Sequence, residues 1–214
     1  MKQLLLASAS PARSQTLKAA GIVPEVRVSA VDEDAVLAQV LQRVPEAGAR
    51  AQVQELAHAK ASDVAQQILP AAGAADYPDV IVGCDSMLEM DGQILGKPHT
   101  PQLAQQRLQV MRGRAGKLHT GHCVIDTATR KHAHGVSTAT VYIAQMTDAE
   151  IAAYIASGEP LEVAGSFTID GLGGSFVEKI DGDPHGVVGI SLPLLRQLLA
   201  QLDHQITDFW RLTD

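Results

Sequence analysis

The chain has 214 residues, of which 46 % are hydrophobic and 19 % charged; this balance excludes a disordered chain and suits one large domain or two small lobes. The formal net charge of −7 argues against a non-specific nucleic-acid binder, whose affinity rests on many Lys/Arg–phosphate contacts, but leaves room for one small anionic ligand held by a few local cations. Cys84 and Cys123 lie far apart, which disfavours a disulfide framework or a zinc ribbon and suits a cytoplasmic protein; the run Leu4-Leu5-Leu6 is too short for a secretory signal, and no apolar stretch reaches the ~18 residues of a membrane span.

Residues 3–7 read as a short buried strand. Ser10-Pro11 predicts an N-cap followed by proline at the first helical position, with Gly21 closing the helix. Val26, Val28 and Ala30 alternate with polar residues, as in a half-buried strand. Residues 34–43 and 47–69 read as helices broken near Pro45, and 70–78 as a surface loop rich in Ala, Gly and Pro. Residues 79–84 predict a central strand, and Asp91-Gly92 a type I′ hairpin. Thr100-Pro101 starts another helix, ending near Gly113; 119–125 and 137–143 read as strands. Thr147 and Glu150 form a capping box for a helix ending at Gly158. A glycine-rich stretch, 165–174, precedes a strand over 175–180, and Ser191 caps a last helix through 202. No internal repeat or separating linker appears. The pattern is that of an α/β fold: a mixed central sheet flanked by helices, forming one domain over 1–214, with its core in 4–202 and a tail in 203–214.

The strand leading to Asp85 ends on a lone carboxylate. In open α/β sheets, ligands bind beyond the carboxyl ends of strands, and both Ser8 and Asp85 sit at such ends. A carboxylate there suits a general base or a metal ligand. A two-residue Asp91-Gly92 loop pairs Met90 with Gln93 and, by extension, Ser86 with Lys97; strict pleating then puts Asp85 and Lys97 on opposite faces unless Gly96 bulges. Other cations and polar groups gather by position. Arg13 lies in the first turn after the first strand, where Ser8, Ser10 and free N–H groups make an anion cradle. Lys60 borders a packed helical face, where lysine more often snorkels to solvent. Asp32-Glu33-Asp34 is either a solvated helix start or chemistry suited to Mg²⁺.

Taken in order, Leu6-Ala7-Ser8-Ala9-Ser10-Pro11-Ala12-Arg13, Asp32-Glu33, Ala59-Lys60-Ala61, Val82-Gly83-Cys84-Asp85-Ser86, Gly96-Lys97-Pro98, Thr120-Gly121, Ser157-Gly158-Glu159-Pro160, Ala164-Gly165-Ser166-Phe167, Gly171-Leu172-Gly173 and Val187-Val188-Gly189 resemble the Maf family of septum-formation-inhibitor-like nucleoside triphosphate pyrophosphatases. The resemblance runs from residue 4 to about 202. It implies two lobes around a cleft, frequent dimers, and hydrolysis of a nucleoside triphosphate to monophosphate and pyrophosphate with a divalent metal, Mg²⁺ or Mn²⁺. By residue matching, it implies Asp85 as the catalytic aspartate. Ser8, Arg13, Glu33, Lys60 and Lys97 match its phosphate and metal positions, with Glu33 and Asp85 as metal ligands. Ala12, Ser86 and Asp170 stand where the family carries arginine, threonine and glutamine, positions thought to select among nucleotides, so base preferences do not transfer. The alternative from another class is a non-catalytic regulator of septum formation that binds a partner protein.

The remaining features are weaker. Gly171-Leu172-Gly173-Gly174 is not a dinucleotide fingerprint, and no P-loop motif exists. His132 and His134 share a strand face without an acidic partner and read as solvent-facing; His119 and His122 are read the same way. Arg112 and Arg114 complement a helix dipole, with Arg114 also within range of a phosphate. Asp170 is either a base-reading carboxylate or the cap of the turn at Gly171.

Overall fold

Strand β1 (Leu4–Ala7) is buried along its whole length, as a strand in the parallel part of a covered sheet must be. The computed structural model describes residues 1–68 and 77–211, so most of the predicted 70–78 loop lies outside the described residues. Helix α1 (Pro11–Ala19) starts on the Ser10 cap with Pro11 in its first turn, and Gly21 leaves it at φ +78. Strand β2 (Glu25–Val26) is only two exposed residues at the sheet edge. The predicted half-buried alternation therefore fails: Val26 and Val28 both stay exposed. Helices α2 (Glu33–Arg43) and α3 (Ala49–Ile68) follow, then β3 (Val80–Met90) and β4 (Gln93–Leu95). Asp91 and Gly92 both take positive φ, as a type I′ turn requires, and Met90 pairs with Gln93. The chain continues through α4 (Pro101–Met111), β5 (Ala115–Asp126), β6 (His132–Ile143), α5 (Asp148–Ala156), β7 (Val177–Asp181), α6 (Pro184–Val188) and α7 (Leu192–Gln201).

Among the described residues these strands form one mixed sheet in the order β2-β1-β3-β5-β6-β7, with β4 also on β3. The β1 pairs are parallel and all others antiparallel. One face of β3 and β5 packs against α3 so closely that a Cβ on Gly83 or Gly121 would meet the Ala57 or Val53 carbonyl oxygen at 2.3 and 2.2 Å. The other face packs against α1 and α7 through Leu17, Leu195, Leu198 and Leu199. A second apolar cluster, built from Leu88, Leu108, Leu118, Ile151, Tyr154 and Phe167, occupies the far half of β3 with α4 and α5. The long strands β3 and β5 thus run through two lobes.

Several side chains depart from expectation. His119 and His122 are buried: Thr138 takes the first, and the backbone of Ser191, brought across the sheet by α7, takes the second. His132 and His134 are exposed as expected, with ring centroids 6.1 Å apart. Arg112 pairs with Asp148 at 2.7 Å, and Arg114 is turned onto the hairpin carboxylate Asp91. The described part of the tail, 203–211, is docked: Phe209 is buried in the first core, and Trp210 bridges to Ile22. No described helix is long and apolar enough to cross a membrane.

Candidate active site

The site arises where strand pairing is interrupted. Strand β1 pairs with β3 up to Ala7↔Gly83, and β4 pairs with it only from Leu88↔Leu95 onward. Residues 84–87 therefore have a free edge on that flank, while their other flank pairs with β5. Successive side chains of a strand point to opposite faces, so Asp85 enters the gap from the α3 side and Ser86 from the side of α1 and α6.

On the α3 side, Asp85 is 7 % exposed. Lys60 Nζ donates to Asp85 Oδ1 at 2.7 Å and lies 2.7 Å from Glu33 Oε1. Lys60 is itself buried, so it does not snorkel; it is one of the buried residues of α3, with Leu56, Ala57, Ala61 and Val64, and its ammonium joins two carboxylates. Burial pushes the Asp85 carboxyl above its usual range, against the lowering pull of Lys60 and Arg13. The acidic run divides its work. Asp32 caps α2 by accepting from Ala35 N, and Glu33 turns inward with its side chain still 54 % exposed.

On the other side, Arg13 is 9 % exposed. Its Nε donates to Gly189 O at 2.8 Å, Nη1 to Ser8 Oγ and Cys84 O, each at 2.9 Å, and Nη2 to Ser86 Oγ at 3.1 Å. Four of its five N–H donors are thus taken by neutral acceptors; among the described residues it forms no direct ion pair, and it acts on the Asp85 carboxylate only at longer range. Ser8 Oγ accepts from Arg13 and from Ser10 N, leaving its own hydroxyl hydrogen to donate. Thr120 Oγ1 donates to Gly186 O, so at the 2.9 Å Ser86–Thr120 contact Ser86 is the donor. The Ser86 hydroxyl hydrogen is therefore engaged, and its oxygen accepts from Arg13.

Lys97 is exposed, because β4 ends at Leu95. The extrapolated Ser86–Lys97 pair does not form, and Lys97 has no hydrogen bond or ion pair among the described residues. Ala12 and Asp170 line one cavity of about 340 Å³ together with Gln15, Thr16, His185 and Leu192; Ser86 is not among its lining. Asp170 is exposed and does not cap the turn at Gly171. Glu159 does, accepting from Leu172 N and Gly173 N at 2.9 Å each. The sequence signal for Glu159 was its place in Ser157-Gly158-Glu159-Pro160; its partners 13 and 14 residues ahead were not legible.

The sequence matches the Maf-like protein family over residues 3–202. It is 52 % identical over 208 residues to the nucleoside triphosphate pyrophosphatase of Salinispora tropica, covering 97 % of this chain and 87 % of that protein. A protein of the same name from Nocardia farcinica is 53 % identical over 216 residues, covering 97 % and 96 %, and one from Streptomyces coelicolor is 50 % identical over 209 residues, covering 98 % and 95 %.

Proposed function

The chain belongs to the Maf-like protein family, and from that membership and the chemistry of the gap beside β3 we propose that it is a nucleoside triphosphate pyrophosphatase, cleaving its substrate to the monophosphate and pyrophosphate. One observation carries the reading: a buried Arg13 held by neutral acceptors with no direct ion pair, and a buried Asp85, open onto the same unpaired strand edge. A buried cation in no direct ion pair is costly, and a polyphosphate is the kind of ligand that would offset the cost.

The remaining Nη2 donor of Arg13 and the Ser8 hydroxyl face this edge as phosphate donors. Lys60 neutralises charge from the α3 side, and Lys97, exposed and without an ion pair among the described residues, joins it when substrate is bound. Glu33 and Asp85 suit a divalent cation such as Mg²⁺ or Mn²⁺, because Mg²⁺ needs only one or two protein carboxylates beside phosphate oxygens and water. Bound there, the metal supplies Lewis-acid neutralisation of the phosphate charge. Asp85 orients or deprotonates the water that attacks the α-phosphorus; its raised proton affinity suits that task. Pyrophosphate then leaves against Arg13, Lys60 and Lys97.

The cavity lined by Ala12 and Asp170 lies beside Arg13 and takes the base. An ionised Asp170 only accepts hydrogen bonds, which favours a donor-rich edge such as guanine over the carbonyl edge of uracil or thymine. The partner is thus a nucleotide, not a nucleic acid. A cytoplasmic setting accords with two free cysteines. A homodimer accords with the family resemblance.

The test is pyrophosphate release from a panel of nucleoside triphosphates by wild type and Asp85→Asn. Turnover is expected to be highest with guanine-like bases and to fall at least ~10²-fold in the variant, the scale of a lost general base. An Asn variant with wild-type turnover would remove Asp85 from the chemistry.

A further inference from the structure

The carboxylate of Glu159 gathers four donors from three parts of the second lobe. Tyr154 Oη donates to Oε1 at 2.9 Å and Thr168 Oγ1 at 2.6 Å, with Gly173 N on the same oxygen at 2.9 Å. Leu172 N donates to Oε2 at 2.9 Å. Burial would raise its proton affinity, but these four donors outweigh that and hold the carboxyl below its ordinary range. The bonds at Thr168 on one side and at Leu172 and Gly173 on the other close residues 168–173 into a short arch, and Asp170 stands in the open span between them. The arch is also packed tightly from inside. A Cβ on Gly171 would meet Glu159 Oε2 at 2.6 Å, and one on Gly173 would meet Tyr154 Oη at 2.4 Å. Tyr154 belongs to the buried core of the second lobe. The opposite wall of the cavity that Asp170 lines is α1, with Ala12, Gln15 and Thr16, which belongs to the first lobe.

We propose that Glu159 is a positioning residue for nucleotide selection: its carboxylate clamps the arch that carries Asp170, setting one wall of the base cavity against the other. This rests on the pyrophosphatase reading above. Glu159 touches neither the strand edge nor the phosphate-facing groups, so its loss acts on recognition of the nucleoside and spares the chemistry at phosphorus. Replacing it by glutamine keeps one acceptor oxygen but, in either orientation, turns an amide NH₂ onto a backbone N–H, that of Leu172 or Gly173, and so releases that side of the arch.

The experiment compares wild type with Glu159→Gln and the milder Tyr154→Phe, which removes one of the four bonds. It uses the triphosphate turned over fastest, its monophosphate and inorganic pyrophosphate. In Glu159→Gln, KM is expected to rise about tenfold with kcat held within about twofold. Inhibition by the monophosphate is expected to weaken to the same degree, with inhibition by pyrophosphate, which has no base, unchanged. Tyr154→Phe is expected to show the same pattern at about two- to threefold. Wild-type KM and wild-type monophosphate inhibition in Glu159→Gln would overturn the proposal; so would a parallel weakening of both inhibitors, the mark of a general structural defect. A wild type that turns over no triphosphate removes the pyrophosphatase reading instead. Calorimetric binding of guanosine monophosphate and pyrophosphate then decides Glu159 by the same contrast, with loss of only the monophosphate supporting the clamp and equal changes refuting it.

Discussion

Two lysines near the strand edge have opposite settings, and their variants separate binding from folding. Lys60 is buried between Asp85 and Glu33. Lys60→Ala leaves Asp85 in a low-dielectric site without its nearest cation, and removing one partner of a buried pair costs about 3–5 kcal/mol. That variant is expected to melt earlier as well as to lose activity. Lys97 is exposed past the end of β4. On the proposed reading, Lys97→Ala removes only a charge that meets substrate, worth roughly 1.5–3 kcal/mol as a charge-assisted bond. Its kcat/KM is expected to fall about ten- to a hundredfold at an unchanged melting temperature. Wild-type kinetics for Lys97→Ala would take that residue out of the phosphate site. The position of Arg13 beside Ser8 at the end of β1 was readable from its place in the first turn after a strand. The inward turn of Lys60 was not, because the carboxylates that draw it in come from 27 residues before and 25 after.

Helix α3 holds Lys60 at the right height, and two glycines set its distance from the sheet. Gly83 and Gly121 leave no room for a side chain between the sheet and the α3 backbone. Overpacking of this kind costs about 1–3 kcal/mol, and here the obstacle is backbone, which cannot rotate away. Gly121→Ala is expected to lower stability by that amount. It should also cut turnover, because a displaced α3 takes the Lys60 ammonium off Asp85. Full turnover at a lowered melting temperature would show that the register of α3 is not critical to the chemistry. At this scale the sequence was legible wherever local chemistry marks an element. Ser10-Pro11, Thr100-Pro101, the Thr147–Glu150 box, Ser191 and Asp91-Gly92 all start or turn elements as read. It failed where partners are distant. Strand β3 runs on to Met90 and β5 reaches from Ala115 to Asp126, past polar residues that seemed to end them. His119 and His122 look like surface residues until β6 and α7 supply their partners, and β2 has hydrophobic alternation but no buried face to use it on.

Across the whole molecule, one of the ties between the C-terminal third and the sheet is a neutral imidazole, and it lies close in sequence to the segment that holds Arg13. His122 Nε2 accepts from Ser191 N at 2.9 Å, and its Nδ1 donates to Thr120 O at 3.0 Å. Ser191 begins α7, and two residues before it Gly189 O receives Arg13 Nε. Burial lowers the His122 pKa to about 4; the Thr120 carbonyl opposes this, Arg13 reinforces it and Asp183 opposes it. The unfolded chain therefore binds a proton between about pH 6.5 and 4 that the folded chain refuses. Stability from this group is complete above pH 6.5 and is lost as pH falls through that window, by about 3 kcal/mol over the full span. Protonation also turns Nε2 from acceptor to donor, facing it against the Ser191 N–H and loosening the segment that positions Arg13. His122→Gln offers an acceptor without a titrating group. Its melting temperature is expected to change less between pH 7 and pH 5 than that of wild type, although it starts lower at pH 7 because an amide fills the buried site less well than the ring. Parallel melting curves for the two proteins across that range would place the acid sensitivity of the fold elsewhere.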